Sequence, residues 1–170
     1  MKKTILICIV GLLSISAYAQ KNEFGIVAGG FNGLSYKYYL KPNIAIQTDL
    51  ACGVERTIVN FPDSRYSVVG TISLWDFSLN PNFLYHKDLE GGLYAFAGGG
   101  ASLGMLGFFE TNIFAGKLGI NGMIGAGIKL ASVPLSISLD FRPGYGFGFD
   151  GSSTVHYFDW HLALGLRYCI

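Results

Sequence analysis

From Phe158 to Ile170, even positions carry Phe158, Trp160, Leu162, Leu164, Leu166, Tyr168 and Ile170, and odd positions carry Asp159, His161, Ala163, Gly165, Arg167 and Cys169. Side chains on an extended strand point alternately to two faces, so this run has one apolar face and one that is polar or very small. A helix would spread the same residues around its circumference. The segment is a β-strand between two unlike surroundings, and the reading of the whole chain turns on which of them is water.

The same alternation recurs upstream. In 135–149 the odd positions are Leu, Ile, Leu, Phe, Pro, Tyr, Phe and Phe, against Ser136, Ser138, Asp140, Arg142, Gly144, Gly146 and Gly148. In 118–130, Leu118, Ile120, Ile124, Ala126, Ile128 and Leu130 oppose Gly119, Asn121, Met123, Gly125, Gly127 and Lys129. Phe77, Leu79, Phe83 and Tyr85 oppose Ser78, Asn80, Asn82 and His86 over 77–87, and Ile44, Ile46, Leu50 and Val54 oppose Gln47, Asp49, Gly53 and Glu55 over 44–55. Strands over 93–106, 34–40 and 24–30 bring the expected number to eight. Turn chemistry falls between them at Phe31-Asn32-Gly33, Lys41-Pro42-Asn43, Asp88 to Gly92 and Ala131 to Pro134.

Connections at 41–43, 88–92 and 131–134 are short, and those at 56–67, 107–117 and 150–157 are longer. Short periplasmic turns alternating with longer outer loops are the pattern of a membrane barrel. The first hairpin departs from it with a short turn at the loop end. Val68 to Trp75 either extends the fourth strand or belongs to a projecting hairpin.

The segment before the strands reads differently. Lys2 and Lys3, an apolar run from Ile5 to Ile15, and Ala17-Tyr18-Ala19 resemble the parts of a secretory signal peptide, which predicts export, cleavage before Gln20 and a single domain over 20–170. The apolar run is shorter than the ~20 residues of a spanning helix, and Cys8 lacks a lipidation context. Removal of this segment takes the formal charge from +1 to −1, which disfavours a nucleic-acid partner. Cys52 and Cys169 then remain, on opposite faces and near opposite ends, beyond the roughly 7 Å between Cα atoms that a disulfide allows. Half the chain is apolar, at 51%, only 14% is charged, and there are 24 glycines. No later run reaches a helical span, so the apolar residues are interleaved.

Eight such strands describe both a soluble lipocalin-like carrier, apolar inside, and a membrane barrel, apolar outside. Volume separates them: the interior of an eight-stranded barrel is filled by side chains, and Gly, Ser and Ala with a few long polar groups fit it where Leu, Phe, Tyr and Trp would overfill it. Charge agrees. The apolar faces of the last three strands contain no Asp, Glu, Lys or Arg, as lipid requires when one Arg or Lys costs about 2–4 kcal/mol at the midplane. Thirteen residues at ~3.3 Å each, tilted about 40°, rise roughly 33 Å and cross an apolar band of about 25 Å.

The expected fold is therefore an all-β, antiparallel, up-and-down eight-stranded transmembrane β-barrel. Ile124, Ile128, Leu135, Ile137, Leu139, Phe141, Trp160, Leu162, Leu164 and Leu166 are expected against lipid, with Tyr36, Tyr38, Tyr85, Tyr145, Phe147, Trp160 and Tyr168 toward the interfaces. Inside, the parity gathers Lys37, Lys129, Arg142 and Arg167 with Asp49, Glu55, Asp140 and Asp159, joined by His161. Buried charges require partners, so these predict a salt-bridge network that plugs the lumen and argues against a conducting pore.

Four segments carry a family resemblance: Gly33 to Leu40, Gly119 to Lys129, Pro134 to Pro143 and Ala163 to Tyr168. They resemble small outer-membrane β-barrel proteins of the OmpA/OmpX-like kind, in the form common in Bacteroidetes, across nearly the whole exported chain. That resemblance implies insertion by the barrel assembly machinery, guided by a C-terminal strand that usually ends in an aromatic residue; here Ile170 is last and Tyr168 stands two before it. A monomer in outer-membrane lipid is expected, and the resemblance specifies fold better than activity. Pro81 and Pro143, awkward in closed ladders, suggest bulges or strand ends.

Some barrels of this size modify lipid A. His156 lies near Asp150, Ser152, Ser153 and Asp159 at the expected outer rim, which supplies a hydroxyl, a base and a carboxylate, but the His-x-Ser spacing of such a deacylase follows none of His86, His156 or His161. No catalysis, cofactor or metal is expected. Gly98-Gly-Gly100 and the glycines of 144–148 lack the strand-to-helix setting of a phosphate loop and read as small inward faces.

Overall fold

The structure, a computed structural model, describes residues 21–30, 32–60, 69–108, 114–149 and 154–170, with the backbone only at 54–60, 69–74, 108 and 155. The expected signal segment and its cleavage site lie outside the described residues. Eight strands follow one another: β1 (Asn22–Gly29), β2 (Asn32–Lys41), β3 (Ile44–Asn60), β4 (Val69–Asp88), β5 (Leu93–Phe108), β6 (Phe114–Lys129), β7 (Leu135–Phe149) and β8 (Thr154–Cys169). Each pairs antiparallel with its neighbour in sequence, and β1 pairs with β8 to close the barrel. Closure removes the free edges that an open sheet of this length would present.

Alternation orients every strand. On β8, Ala163, Gly165, Arg167 and Cys169 are buried inward, while Trp160, Leu162, Leu164 and Leu166 are exposed. Cys52 points outward and Cys169 inward, both as free thiols. Short connections join the strands at one end, the turn end. There the single turn Glu90–Gly92 places Gly91 and Gly92 at φ 71° and 80°, a backbone region that glycine enters without steric cost.

Several strand ends differ from the alternation estimate. β3 runs to Asn60 and pairs with β4 up to Val69, so Val68–Trp75 is largely resolved as β4 extended into a projecting hairpin. β6 begins at Phe114 and β8 at Thr154, which shortens the connections expected at 107–117 and 150–157. The first hairpin is the short exception, with strands of 8 and 10 residues where the others have 15 to 20. Beyond its tip, β3 and β8 pair directly through Ile58↔Phe158, Val59↔Tyr157 and Asn60↔His156. The ring is eight-stranded toward the turn end and closes over the short hairpin through β3–β8.

The two prolines are neither bulges nor strand ends. Pro81 pairs with Thr48 on β3, and the β4–β5 pairing skips from Leu79↔Leu103 to Asn82↔Gly100 without a change of register. Pro143 pairs with Trp160 on β8, and β6–β7 skips from Asn121↔Gly144 to Ile124↔Phe141 in the same way. Proline has no N–H to give the ladder, so each costs local pairing on one side only, and the neighbouring strands hold the register. The one register shift on β2–β3 lies between Tyr39 and Lys41, beside the turn.

Candidate functional site

Two surfaces could carry function, the lumen and the outer wall. Inward positions gather the charge. Among the described residues the lumen holds five cations, Lys37, Lys117, Lys129, Arg142 and Arg167, and five carboxylates, Glu23, Asp49, Asp76, Asp140 and Asp159. All are buried except Lys129, which is a third exposed, and Asp159, at 12%.

Around the middle of the lumen Arg142 is the hub. Its Nη1 donates to Asp49 Oδ2 at 2.5 Å, Nε to Asp140 Oδ1, and Nη2 to Asp140 Oδ2 at 3.2 Å. The Asp140 pairing is a local gift of the strand, because residues two apart share a face. Gln47 completes the group by donating from Nε2 to both oxygens of Asp49, at 3.2 and 3.0 Å. Nearer the loop end, Lys117 pairs with Asp76, lies 3.9 Å from Asp159 and sits 5.0 Å above the Tyr157 ring. His161 Nε2 is 3.5 Å from Asp159 Oδ2. A cavity of about 40 Å³ between Asp76, Lys117, Asn121, Tyr157, Asp159 and His161 is polar and large enough for ordered water.

The turn end is built differently. The Tyr39 hydroxyl donates to Glu23 Oε1 at 2.8 Å, and the same oxygen lies 3.5 Å from Lys129 Nζ. Aromatic rings supply the rest: Lys129 lies 4.5 Å from the Tyr39 ring centre, and Lys37 lies 5.0 Å and 5.5 Å from those of Phe96 and Tyr94. The His86 ring packs among Tyr39, Tyr94 and Phe96 with centroids 5.1 to 5.6 Å away. Arg167 donates to two hydroxyls, Ser35 and Ser138, each at 2.8 Å. It has room to do so because β8 carries Gly165, where a Cβ would stand 2.5 Å from Arg167 Nη1.

Of the residues singled out by parity, Lys37, Asp49, Asp140, Arg142 and Arg167 are buried in the lumen, and Lys129, Asp159 and His161 face it with partial exposure. The backbone of Glu55 pairs with Leu74, and its side chain is outside the described residues. Glu23, Asp76 and Lys117 are members that the sequence estimate omitted. Each lies one position outside the strand boundary drawn from the alternation, and one more step of period two would have included it.

On the outer wall, Ile124, Leu139, Phe141, Trp160, Leu162, Leu164 and Leu166 are exposed, and Ile128, Leu135 and Ile137 are half-buried. The outward positions of β6, β7 and β8 carry no Asp, Glu, Lys or Arg. Two members of the rim group, His156 and Asp159, lie on opposite faces of β8. His156 faces outward, its Nδ1 2.9 Å from the Tyr145 hydroxyl and its ring edge-on to Phe147, whereas Asp159 faces the lumen through the opposite side of the same strand. Asp150, Ser152 and Ser153 lie outside the described residues. Among the described residues no group of three or more His, Cys, Asp or Glu is placed to hold a metal ion.

A solved structure shares this architecture. Neisserial surface protein A superposes with a TM-score of 0.60 over 88% of this chain and 93% of its own, at 12% identity. The chain has the fold of a small eight-stranded outer-membrane β-barrel. Outer Membrane Protein W of E. coli, solved by NMR, covers 91% of this barrel chain and 100% of its own at 14% identity, with a TM-score of 0.49. No protein-family model and no curated protein matches the chain.

Proposed function

We propose that the chain is an integral outer-membrane protein of the OmpA/OmpX-like kind, a monomer whose lumen is plugged by its own polar network. Its role is structural or surface-interacting, without catalysis. One observation carries this reading: β6, β7 and β8 turn a charge-free apolar face outward, while five cations and five carboxylates face one another in the lumen. Water has no reason to exclude charge from an exterior, and lipid has a strong one. An inverted, apolar-lined carrier would need the opposite arrangement.

Export follows the signal-like segment at the start of the sequence, and insertion by the barrel assembly machinery follows the family resemblance. The terminal strand is fully engaged, with the Ile170 N–H donating to Asn22 O at 2.7 Å and Cys169 N–H to Pro134 O at 2.8 Å. Cell fractionation with a heat-modifiability gel tests the location: the protein is expected in the outer-membrane fraction, migrating faster unboiled than boiled, and recovery as a soluble periplasmic protein would defeat the reading. Planar-bilayer recording tests the plug and is expected to give no sustained conductance. With His156 and Asp159 on opposite faces, deletion of the protein is expected to leave the mass of lipid A unchanged.

A further inference from the structure

Among the described residues, the only carboxylate within 4 Å of Lys37 or Lys129 is Glu23, and none lies that close to Arg167. Glu23 is already divided: Oε1 accepts from Tyr39 and faces Lys129, and Oε2 stands 3.8 Å from Lys37 Nζ, too far for a hydrogen bond. Lys37 and Arg167 are each 0% exposed, and Lys37 Nζ and Arg167 Nη2 have no hydrogen-bond partner. The strand pattern brings the two together. Arg167 Nε donates to Ser35, and Lys37 follows two residues along the same face of β2, about 7 Å further on. Gly25 on β1, paired with Arg167, adds no side chain there, and the Arg167 guanidinium lies over Gly165 on its own strand.

A buried donor without a partner is costly, and so is a tier that gathers three cations around one carboxylate, even where the neighbouring Arg142 group holds two carboxylates and the lumen balances as a whole. Water would satisfy the N–H groups and leave the charge. An anion does both. We propose that a small monovalent anion of the chloride class binds in the lumen between Lys37 and Arg167 and completes the turn-end tier. The tier is closed to solvent, with Tyr94 and Phe96 beside Lys37 at 1% and 3% exposure, and a monatomic ion is the smallest anion such a space could take. The site lies inside the barrel, so it is independent of the membrane in which the barrel sits.

The test is a halide titration of the purified full-length barrel in detergent, with chloride or bromide replacing gluconate at constant ionic strength and thermal unfolding as the readout. It is paired with bromide-soaked crystals measured at the bromine absorption edge. The expected result is a Tm that rises by about 2–4 °C across the titration. That rise is lost in Lys37→Met and Arg167→Met, and an anomalous peak lies between the two side chains. A flat titration, a rise that both variants keep, or crystals without that peak would overturn the proposal; a site holding only water gives the last of these. If either variant fails to fold, the wild-type crystals decide.

Discussion

In the middle and toward the loop end of the lumen, Arg142 and Lys117 each meet a carboxylate directly, through Asp140, Asp49 and Asp76. At the turn end, Lys37 and Lys129 share Glu23 at 3.8 and 3.5 Å and otherwise face aromatic rings, while Arg167 donates to hydroxyls. The residue types are alike, and strand position makes the difference. Arg142 has an acid two residues away on its own face. Arg167 has Gly165 and Cys169 in those places. Local period two thus supplies a partner in one tier and withholds it in the other, and only groups reaching across the lumen can compensate.

Truncation of the charges measures that contrast. The largest expected effect is Arg142→Met, which leaves Asp49 and Asp140 buried without their cation and should destabilise the barrel by about 3–5 kcal/mol in urea unfolding from detergent. Lys37→Met removes a cation from a tier with too many and should cost clearly less; equal losses for the two would erase the comparison. Gly165→Ala comes next. Its methyl would stand 2.5 Å from Arg167 Nη1 and 2.6 Å from Ser138 Oγ, and displacing them should cost about 1–3 kcal/mol. A neutral result by the same assay would mean that the hydroxyl contacts of Arg167 contribute little. The smallest effect is expected for Lys129→Met. With a third of the side chain exposed, its loss should amount to about 0–1 kcal/mol, and a larger change would show that Glu23 depends on this cation more than solvent screening allows.

Much of this was legible before any coordinates. Alternation located all eight strands because side-chain direction on a strand follows from local backbone geometry alone. Their ends were less legible: pairing between β3 and β4 carries both strands out to Asn60 and Val69, into a region where composition signals a loop. The same blurring hid Glu23, Asp76 and Lys117. Each stood one step beyond a boundary that side-chain pattern could not place and that hydrogen bonding between strands did. The prolines were misread for a related reason. In isolation Pro81 and Pro143 weaken a ladder, yet within a closed barrel the strands on either side keep the register and the damage stays on one side.

By itself, the sequence determined the two-faced character of the wall, the number of strands and the inward side of Lys37, Asp49, Lys129, Asp140, Arg142, Asp159 and Arg167, since all of these depend on period two within a strand. Only the tertiary structure decided which charges meet. Arg142 reaching Asp49, Lys117 reaching Asp76, and Arg167 meeting Ser35 instead of an acid all join residues far apart in the chain. Their heights and distances are set by the closure of β1 on β8 and by the direct pairing of β3 with β8 above the short first hairpin. Parity along one strand contains no information about either.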